Sequence, residues 1–554
     1  MHYNLQKQRN RQYLEELNNI VNDMPYVYKA IDCIQETEWV RNDHVYKLIQ
    51  TCLDNNYALG KLPVNPETIE LPPKPYDIAT NKESLRDYKR RANKVYDLRH
   101  QQKSKFIQCN QVLNIAKLYG GKSMFFPHQY DFRWRIYPKP ALLNPQGADW
   151  SRTLLTFKYG KPIGDSEHHL FIYGANCFGE VDKEDINTRI KWVQANHDRI
   201  LSTAKDPLRD TWWNSADKPF AFYAFCKEYE EFASTRFSNK FLTSLPVQTD
   251  CSNSGLQHYS AMMRDEHGGK ATNLIPSNKP QDIYGIIATK VLEKLNQRRD
   301  KIAMQWIDYG IDRKICKKPT MCLPYGLTRY SCREYIEEHV VKELQDRGKQ
   351  HNFGDDLFRA TQYLTPVVWD SIGDVVVGAK NIMAFLQEVS RLVASENLPV
   401  SWTTPLNAPV QMMNYKMEHK RVKTKMGDSI IKLTVQSETD NIDSRKISQS
   451  VAPNFIHSLD ASCLQLAVVK AHEAGVDSFS MIHDSFGVVA PETDIMSKAI
   501  REAFFDIYQD DVLQKWSDQM YAMLSTKNQN KFPKLPPKGN LNLEQVKDSV
   551  FFCI

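Results

Sequence analysis

Residues 477–490 read DSFSMIHDSFGVVA. Phe479 to Ile482 and Phe486 to Ala490 are apolar runs, and His483, Asp484 and Ser485 lie between them. Two short apolar runs around a polar turn predict a β-hairpin with Asp484 at its tip. Asp-Ser is common in ordinary tight turns, and the tip admits that reading. A hairpin this apolar is buried, however, and a carboxylate at its tip needs a partner.

A second acid is placed in a similar way. In residues 245–266, LPVQTDCSNSGLQHYSAMMRDE, Leu245 to Thr249 is a strand candidate with Asp250 at its end. Ser252 to Gly255 is turn chemistry, and a helix follows from Leu256. A carboxylate at a strand end beside a turn suits a metal ion. The competing reading makes Asp250 the cap of the next helix.

Residues 312–326, DRKICKKPTMCLPYG, carry Arg313, Lys317, Met321 and Tyr325 at four-residue spacing. On a helix these share one face. Two cations would grip a polyphosphate, and the thioether and phenol would meet a base. Pro319 and Pro324 each remove a backbone donor and predict a kink, and Gly326 predicts the end. In residues 450–464, SVAPNFIHSLDASCL, His457 is expected near a helix start after Pro453, where a structural role is the plainer reading. Asp250 and Asp484 together could hold two Mg²⁺ ions while the cationic helix holds a triphosphate. That is the two-metal in-line arrangement, in which catalysis is positioning and charge neutralisation.

Composition fits this chemistry without demanding it. The 554 residues are 42% hydrophobic and 25% charged, a globular balance. No run approaches a membrane span, and the N-terminus lacks the apolar core of a secretory signal. Eleven scattered Cys without a C-x-x-C pair argue against a disulfide framework or a Cys-rich zinc site and suit a reducing compartment. The charge is only +6, so its placement matters more than its size.

Residues 4–22 read as a polar helix. Residues 25–53 read as two helices meeting near Glu36–Arg41, and a proline-rich connector from Pro63 to Pro75 follows. Between Lys82 and Lys105, nine Lys/Arg face three acids on a helix that is either solvated or tracks phosphates. Residues 165–245 are mostly helical, and strands and helices alternate afterwards. Over 416–435, Arg421, Lys423 and Lys425 alternate, which puts all three on one side of a β-ribbon able to enter a major groove. The fold class is mixed α/β with more helix than strand.

The segments TDCSNSGLQH, RKICKKPTMCLPYG and IHDSFG resemble motifs A, B and C of the single-subunit DNA-dependent RNA polymerases of phage and mitochondrial type. QDIYGIIATKV, APNFIHS and KGNLNL resemble the phage branch in particular. The likeness runs from about Pro25 to Ile554. It implies that Asp250 and Asp484 ligate two Mg²⁺ with help from the Cys251 carbonyl. It also implies that Lys317 and Arg313 contact the triphosphate, that Tyr325 and His457 sense the ribose 2′-hydroxyl, and that Met321 lies against the nascent pair. Tyr284 would stack near the template base, Arg133 and Arg135 would meet the template strand or hybrid, and the ribbon of Arg421, Lys423 and Lys425 would face DNA. Related DNA polymerases carry a Glu five residues after the motif-A Asp. Here that position is Gly255, which would leave room for a 2′-hydroxyl in the NTP site. The family's Asp-x-x-Gly-Arg reads Asp131-Phe-Arg-Trp134-Arg135 in this chain.

The same likeness implies a right-hand polymerase. It has a remnant of an N-terminal domain at 1–30 (most of the promoter-binding domain having no counterpart), a thumb at 31–120, and palm at 121–163, 241–266 and 458–554. A palm insertion falls at 164–240 and fingers at 267–457, with Phe551–Ile554 as the C-terminal foot. The implied reaction joins ribonucleotides to an RNA 3′-hydroxyl on a double-stranded DNA template, through an RNA–DNA hybrid, using NTPs and two Mg²⁺. The implied setting is the cytoplasm of a bacterial host, with a monomer off the membrane and an accessory factor as one route to initiation. A DNA polymerase, or a nucleic-acid-binding remnant unable to initiate, stay as alternatives.

Overall fold

The computed structural model describes residues 11–354, 356–427 and 429–553. Of the polar helix expected over 4–22, Arg11–Asn19 falls within them; residues 1–10, Asp355, Asp428 and Ile554 lie outside the described residues. The fold is a helix-rich α/β one in which short antiparallel pairs of strands join helices.

Two hydrophobic cores build it. One gathers residues from Trp39 to Val247, with Trp213, Phe220, Phe222 and Phe225 fully buried in it. Its central helix, Pro219–Ser234, reads PFAFYAFCKEYEEFAS; the first half is apolar all round and therefore buried on every side. Each of these aromatics contributes roughly 1.5–3 kcal/mol by leaving water. The other core runs from Leu256 to Cys553 and also takes in the helix Pro25–Glu36.

The three-stranded antiparallel sheet sits where the cores meet. Its order is Ser480–Ile482, Ser485–Val488, Val247–Asp250. Val247, Val489 and Ala490 belong to the first core, and Met481, Phe486 and Val488 to the second. The predicted hairpin is present, with His483 and Asp484 as its two-residue turn and His483 at φ +54°.

Several local expectations change. Glu36–Arg41 is not a bare helix junction: Trp39–Arg41 forms a strand against Leu155–Phe157, because the branched and aromatic residues there bury Trp39 against Phe157. His457 is not near a helix start. The helix Ser444–Glu473 begins at an Asp443 cap, whose side chain accepts from the Lys446 amide, and runs through Pro453. The proline ring leaves the Gln449 carbonyl without its helical donor. Gly326, at φ +80°, comes so close to that carbonyl that a Cβ would stand 3.0 Å from it.

Trp134 takes φ +68°, a region glycine enters without strain. Its indole turns into the core, donates from Nε1 to the Pro409 carbonyl at 2.7 Å, and lies 5.3 Å from the Tyr130 ring. The absence of disulfides expected from the scattered cysteines also fails at one pair: Cys251 is bonded to Cys553. The pairing follows from the chain's end lying antiparallel to the residue after Asp250. The remaining nine cysteines are free thiols. Among the described residues no helix is long and apolar enough to cross a membrane.

Candidate active site

Asp250 ends its strand and pairs across the sheet with Ser485, the residue after Asp484. The Cys251 amide donates to the Asp484 carbonyl at 3.2 Å. This register brings both carboxylates to one end of the sheet, where they line one cleft. Asp250 does not cap the next helix; Asn253, at φ +66°, holds that position. The two acids differ electrostatically. Desolvation pushes the Asp250 carboxyl up, but Lys218, whose Nζ donates to its Oδ2 at 2.9 Å, together with the Ser485 hydroxyl and Arg152, holds it below its ordinary value. Desolvation and the like charges of Asp460 and Asp250 raise Asp484 to about 6.

The opposite wall is the helix Arg313–Cys322, started by the Asp312 side chain accepting from the Lys314 and Ile315 amides. Pro319 lies inside it, and Pro324 opens the single 3-10 turn Leu323–Tyr325 that follows, before Gly326 turns the chain. Arg313, Lys317, Met321 and Tyr325 all line the cleft, as their spacing predicts. Arg313 donates from Nε to Asp282 Oδ2 at 2.7 Å, and its guanidinium lies 5.7 Å from the centre of the Tyr284 ring. Lys317 has no ion-pair partner among the described residues. Desolvation by the cleft walls and the charges of Arg313 and Lys183 hold its pKa below the ordinary lysine value. Such a cation binds an incoming anion without first breaking a salt bridge.

Tyr325 leans against His457, with ring centres 4.8 Å apart. Arg133 donates from Nη1 to His457 Nδ1 at 2.6 Å. An arginine cannot accept, so Nδ1 is the acceptor and the ring proton sits on Nε2. Desolvation, then the charges of Arg135 and Arg133, push His457 down to about 2, so it stays neutral. Gly255 packs against Pro324 and the Tyr325 hydroxyl. Tyr284, the second residue of the helix Ile283–Arg298, faces the same cleft, its hydroxyl 3.5 Å from Asn253 Nδ2.

Other expected residues stand apart. Arg133 is held by Asp131 as well as His457. Arg135 is committed to Asp460 in a pair whose side chains are 12% and 4% exposed, so its guanidinium is held inside the protein. The basic ribbon is real and longer than expected: Tyr415–Met426 pairs with Ser429–Ile442. Arg421 faces Thr434, Lys423 faces Lys432 and Lys425 faces Ile430, all exposed. The other side carries exposed Val422, Met426 and Leu433.

Sequence reasoning missed three charged residues that organise the cleft: Lys218, Asp282 and Asp460. Asp460 left a signal, an acid inside the apolar run from Phe455 to Leu464. Lys218 left almost none, because a lysine before a Pro-initiated helix is unremarkable in sequence. Among the described residues one trio of His, Cys or acidic side chains clusters closely enough to hold a metal ion: His168, His169 and Asp494. It does not line this cleft.

Comparison with known proteins agrees with the geometry. The family model for DNA-dependent RNA polymerase matches residues 161–531. The chain is 36% identical to the DNA-directed RNA polymerase of Enterobacteria phage T3 and 37% identical to the T7 RNA polymerase of Escherichia phage T7, each over 95% of this chain and 64% of the relative. It is 33% identical to the chloroplastic/mitochondrial DNA-directed RNA polymerase 2B of Nicotiana tabacum, over 96% of this chain and 52% of that one. The chain therefore spans about 64% of the length of the phage relatives it matches.

Proposed function

The chain belongs to the DNA-dependent RNA polymerase family of single-subunit, phage and mitochondrial type, and from that premise we propose that it extends RNA on a DNA template. The observation that carries this reading is the convergence of Asp250, Asp484, Arg313 and Lys317 on one cleft. The Asp250 and Asp484 carboxylates and the Cys251 carbonyl form an all-oxygen donor set, the kind magnesium prefers. Asp484, held up by burial and by neighbouring negative charge, gains from a cation beside it. Two Mg²⁺ held by these oxygens would lower the barrier by neutralising charge on the attacking 3′-oxygen and on the leaving pyrophosphate.

The protein's own groups do the positioning. Arg313 and Lys317, one helical turn apart, grip the triphosphate, and Lys317 is placed to give a proton to the departing pyrophosphate. His457, with its proton on Nε2, and the Tyr325 hydroxyl recognise the ribose 2′-hydroxyl. Met321 lies against the new base pair and Tyr284 against the entering template base. Arg133 acts through His457 by fixing its tautomer. The face formed by Arg421, Lys423, Lys425 and Lys432 meets duplex DNA, where each phosphate contact adds salt-dependent affinity.

On this reading 31–120 is the thumb, 121–163, 241–266 and 458–554 form the palm, 164–240 is an insertion and 267–457 the fingers. Template DNA, the RNA–DNA hybrid and NTPs are the partners, and a bacterial host's cytoplasm is the setting.

Extension of an RNA primer on a DNA template with Mg²⁺ and NTPs tests the proposal. Asp484→Asn should reduce extension by at least on the order of a hundredfold while hybrid binding persists. Full extension by that variant would reject the metal assignment, and no extension by the wild-type chain would reject the activity.

A further inference from the structure

Away from the cleft, the start of the helix Glu167–Phe178 meets the start of the helix Thr493–Gln509. His168 and His169 come from the first and Asp494 from the second, and their ligand atoms all lie within 4.8 Å of one another. The two imidazole centres are 4.0 Å apart. His168 Nδ1 is 3.2 Å from the Asp165 carbonyl, which can only accept, so Nδ1 carries the proton and Nε2 keeps its lone pair. A backbone carbonyl orienting the far nitrogen in this way is the usual support for a metal-bound histidine. His169 Nε2 is shielded from solvent, lies 3.0 Å from Asp494 Oδ1, and makes no well-directed hydrogen bond. Asp494 has no other ion-pair partner among the described residues.

We propose that His168, His169 and Asp494 form a second metal site, for a divalent transition ion of the zinc class, that fastens the segment around residue 168 to the helix following the Asp484 hairpin. Two imidazole nitrogens and one carboxylate suit zinc and not magnesium, which wants oxygen. Three protein ligands leave the fourth tetrahedral position to water. With metal–nitrogen bonds of about 2.0–2.1 Å, the ligand atoms must draw in by about 1 Å. Asp494, its side chain 77% exposed, already stands 3.0 Å from His169 Nε2, so the approach that remains is to His168. The site is independent of the catalytic reading, since none of its residues lines the cleft.

The test uses the full chain stripped with a chelator and dialysed against Zn²⁺ alone, without Mg²⁺ or nucleotide. One zinc per chain by elemental analysis, with a rise in thermal midpoint, is expected. Asp494→Asn and His169→Gln should each lose both effects while keeping the wild-type circular dichroism. Co²⁺ in place of zinc should give the intense visible bands of a tetrahedral ion. Zinc retained equally by both variants, no zinc on the wild-type chain, or a weak octahedral cobalt spectrum would each overturn the proposal. The cobalt spectrum of the wild-type chain decides even if a variant fails to fold.

Discussion

Lys218 donates to the carboxylate of Asp250 at 2.9 Å, so the acid expected to hold metal already has a cation on one oxygen. The pair joins the residue that precedes the helix Pro219–Ser234 to the end of the central sheet. On the proposed metal assignment, Lys218 and a metal ion would compete for the same oxygen. Lys218→Gln should therefore lower the Mg²⁺ concentration that half-saturates primer extension. The Asp250 side chain is 52% exposed, so the pair is discounted to at most about 1 kcal/mol, a shift of up to about fivefold. A magnesium titration of both proteins measures it; an unchanged midpoint would show that the ammonium does not oppose the metal.

Gly255 governs the position of Tyr325. A Cβ at residue 255 would stand 2.8 Å from Pro324 Cβ and 3.3 Å from the Tyr325 hydroxyl. The missing side chain thus makes room for the Leu323–Tyr325 turn itself, not only for substrate. Gly255→Ala should displace that turn, slow ribonucleotide incorporation by about tenfold or more, and narrow the preference for ribo- over deoxyribonucleotides. Single-nucleotide incorporation with each sugar is the measurement, and wild-type discrimination in the variant would refute the coupling.

Acid should destabilise the fold well above the carboxylate range. Burial pushes His128 to about 4 and His258 to about 3. Their ordinary value is 6.5, so below that pH the unfolded chain binds protons that the folded chain refuses. Stability from these groups is present above pH 6.5 and is lost as pH falls, until about 4 for His128 and about 3 for His258. Each contributes a slope of about 1.4 kcal/mol per pH unit within its window. Urea unfolding at pH 7 and pH 5.5 should show the loss, and His258→Gln should flatten the dependence if the variant folds.

The Cys251–Cys553 bond closes a loop between residues separated by 302 positions and ties the chain's end to the residue after Asp250. Other contacts hold the same end, including the Ser252 amide to the Phe552 carbonyl at 3.3 Å and Gln257 Nε2 to that carbonyl at 3.0 Å. Reduction should therefore lower the thermal midpoint without abolishing the fold, with a loss of a few kcal/mol at most. Peptide mapping without reductant should recover residues 251 and 553 in one linked species. Cys553→Ser should make the midpoint insensitive to reductant.

The candidate catalytic residues were legible as cleft-lining groups because the patterns that mark them are local. Asp484 stands out between two apolar runs, and Arg313, Lys317, Met321 and Tyr325 declare one helical face by spacing alone. The basic ribbon was legible from its alternation, though the strands extend beyond residue 435 because their backbone pairing continues to Ile442. Lys218, Asp282 and the pairing of Asp460 with Arg135 were not legible. Each is defined by a partner distant in sequence, and no local pattern records which surface charge will meet which buried one. Trp134 shows a related limit, since its neighbours specify a turn but only the core around Tyr130 and Pro409 gives a large indole somewhere to go at positive φ.

The sequence by itself determined the strand–turn placement of Asp250 and Asp484, the cationic helix face and the predominance of helix, because periodicity, turn chemistry and apolar runs act over a few residues. Only the tertiary structure decided that both acids share one end of one sheet, that Lys218 holds the first and Asp460 perturbs the second, and that His457 keeps its proton on Nε2. Those facts depend on two hydrophobic cores meeting at the sheet, and burial brings charges from distant segments within reach of each other in a medium that screens them weakly.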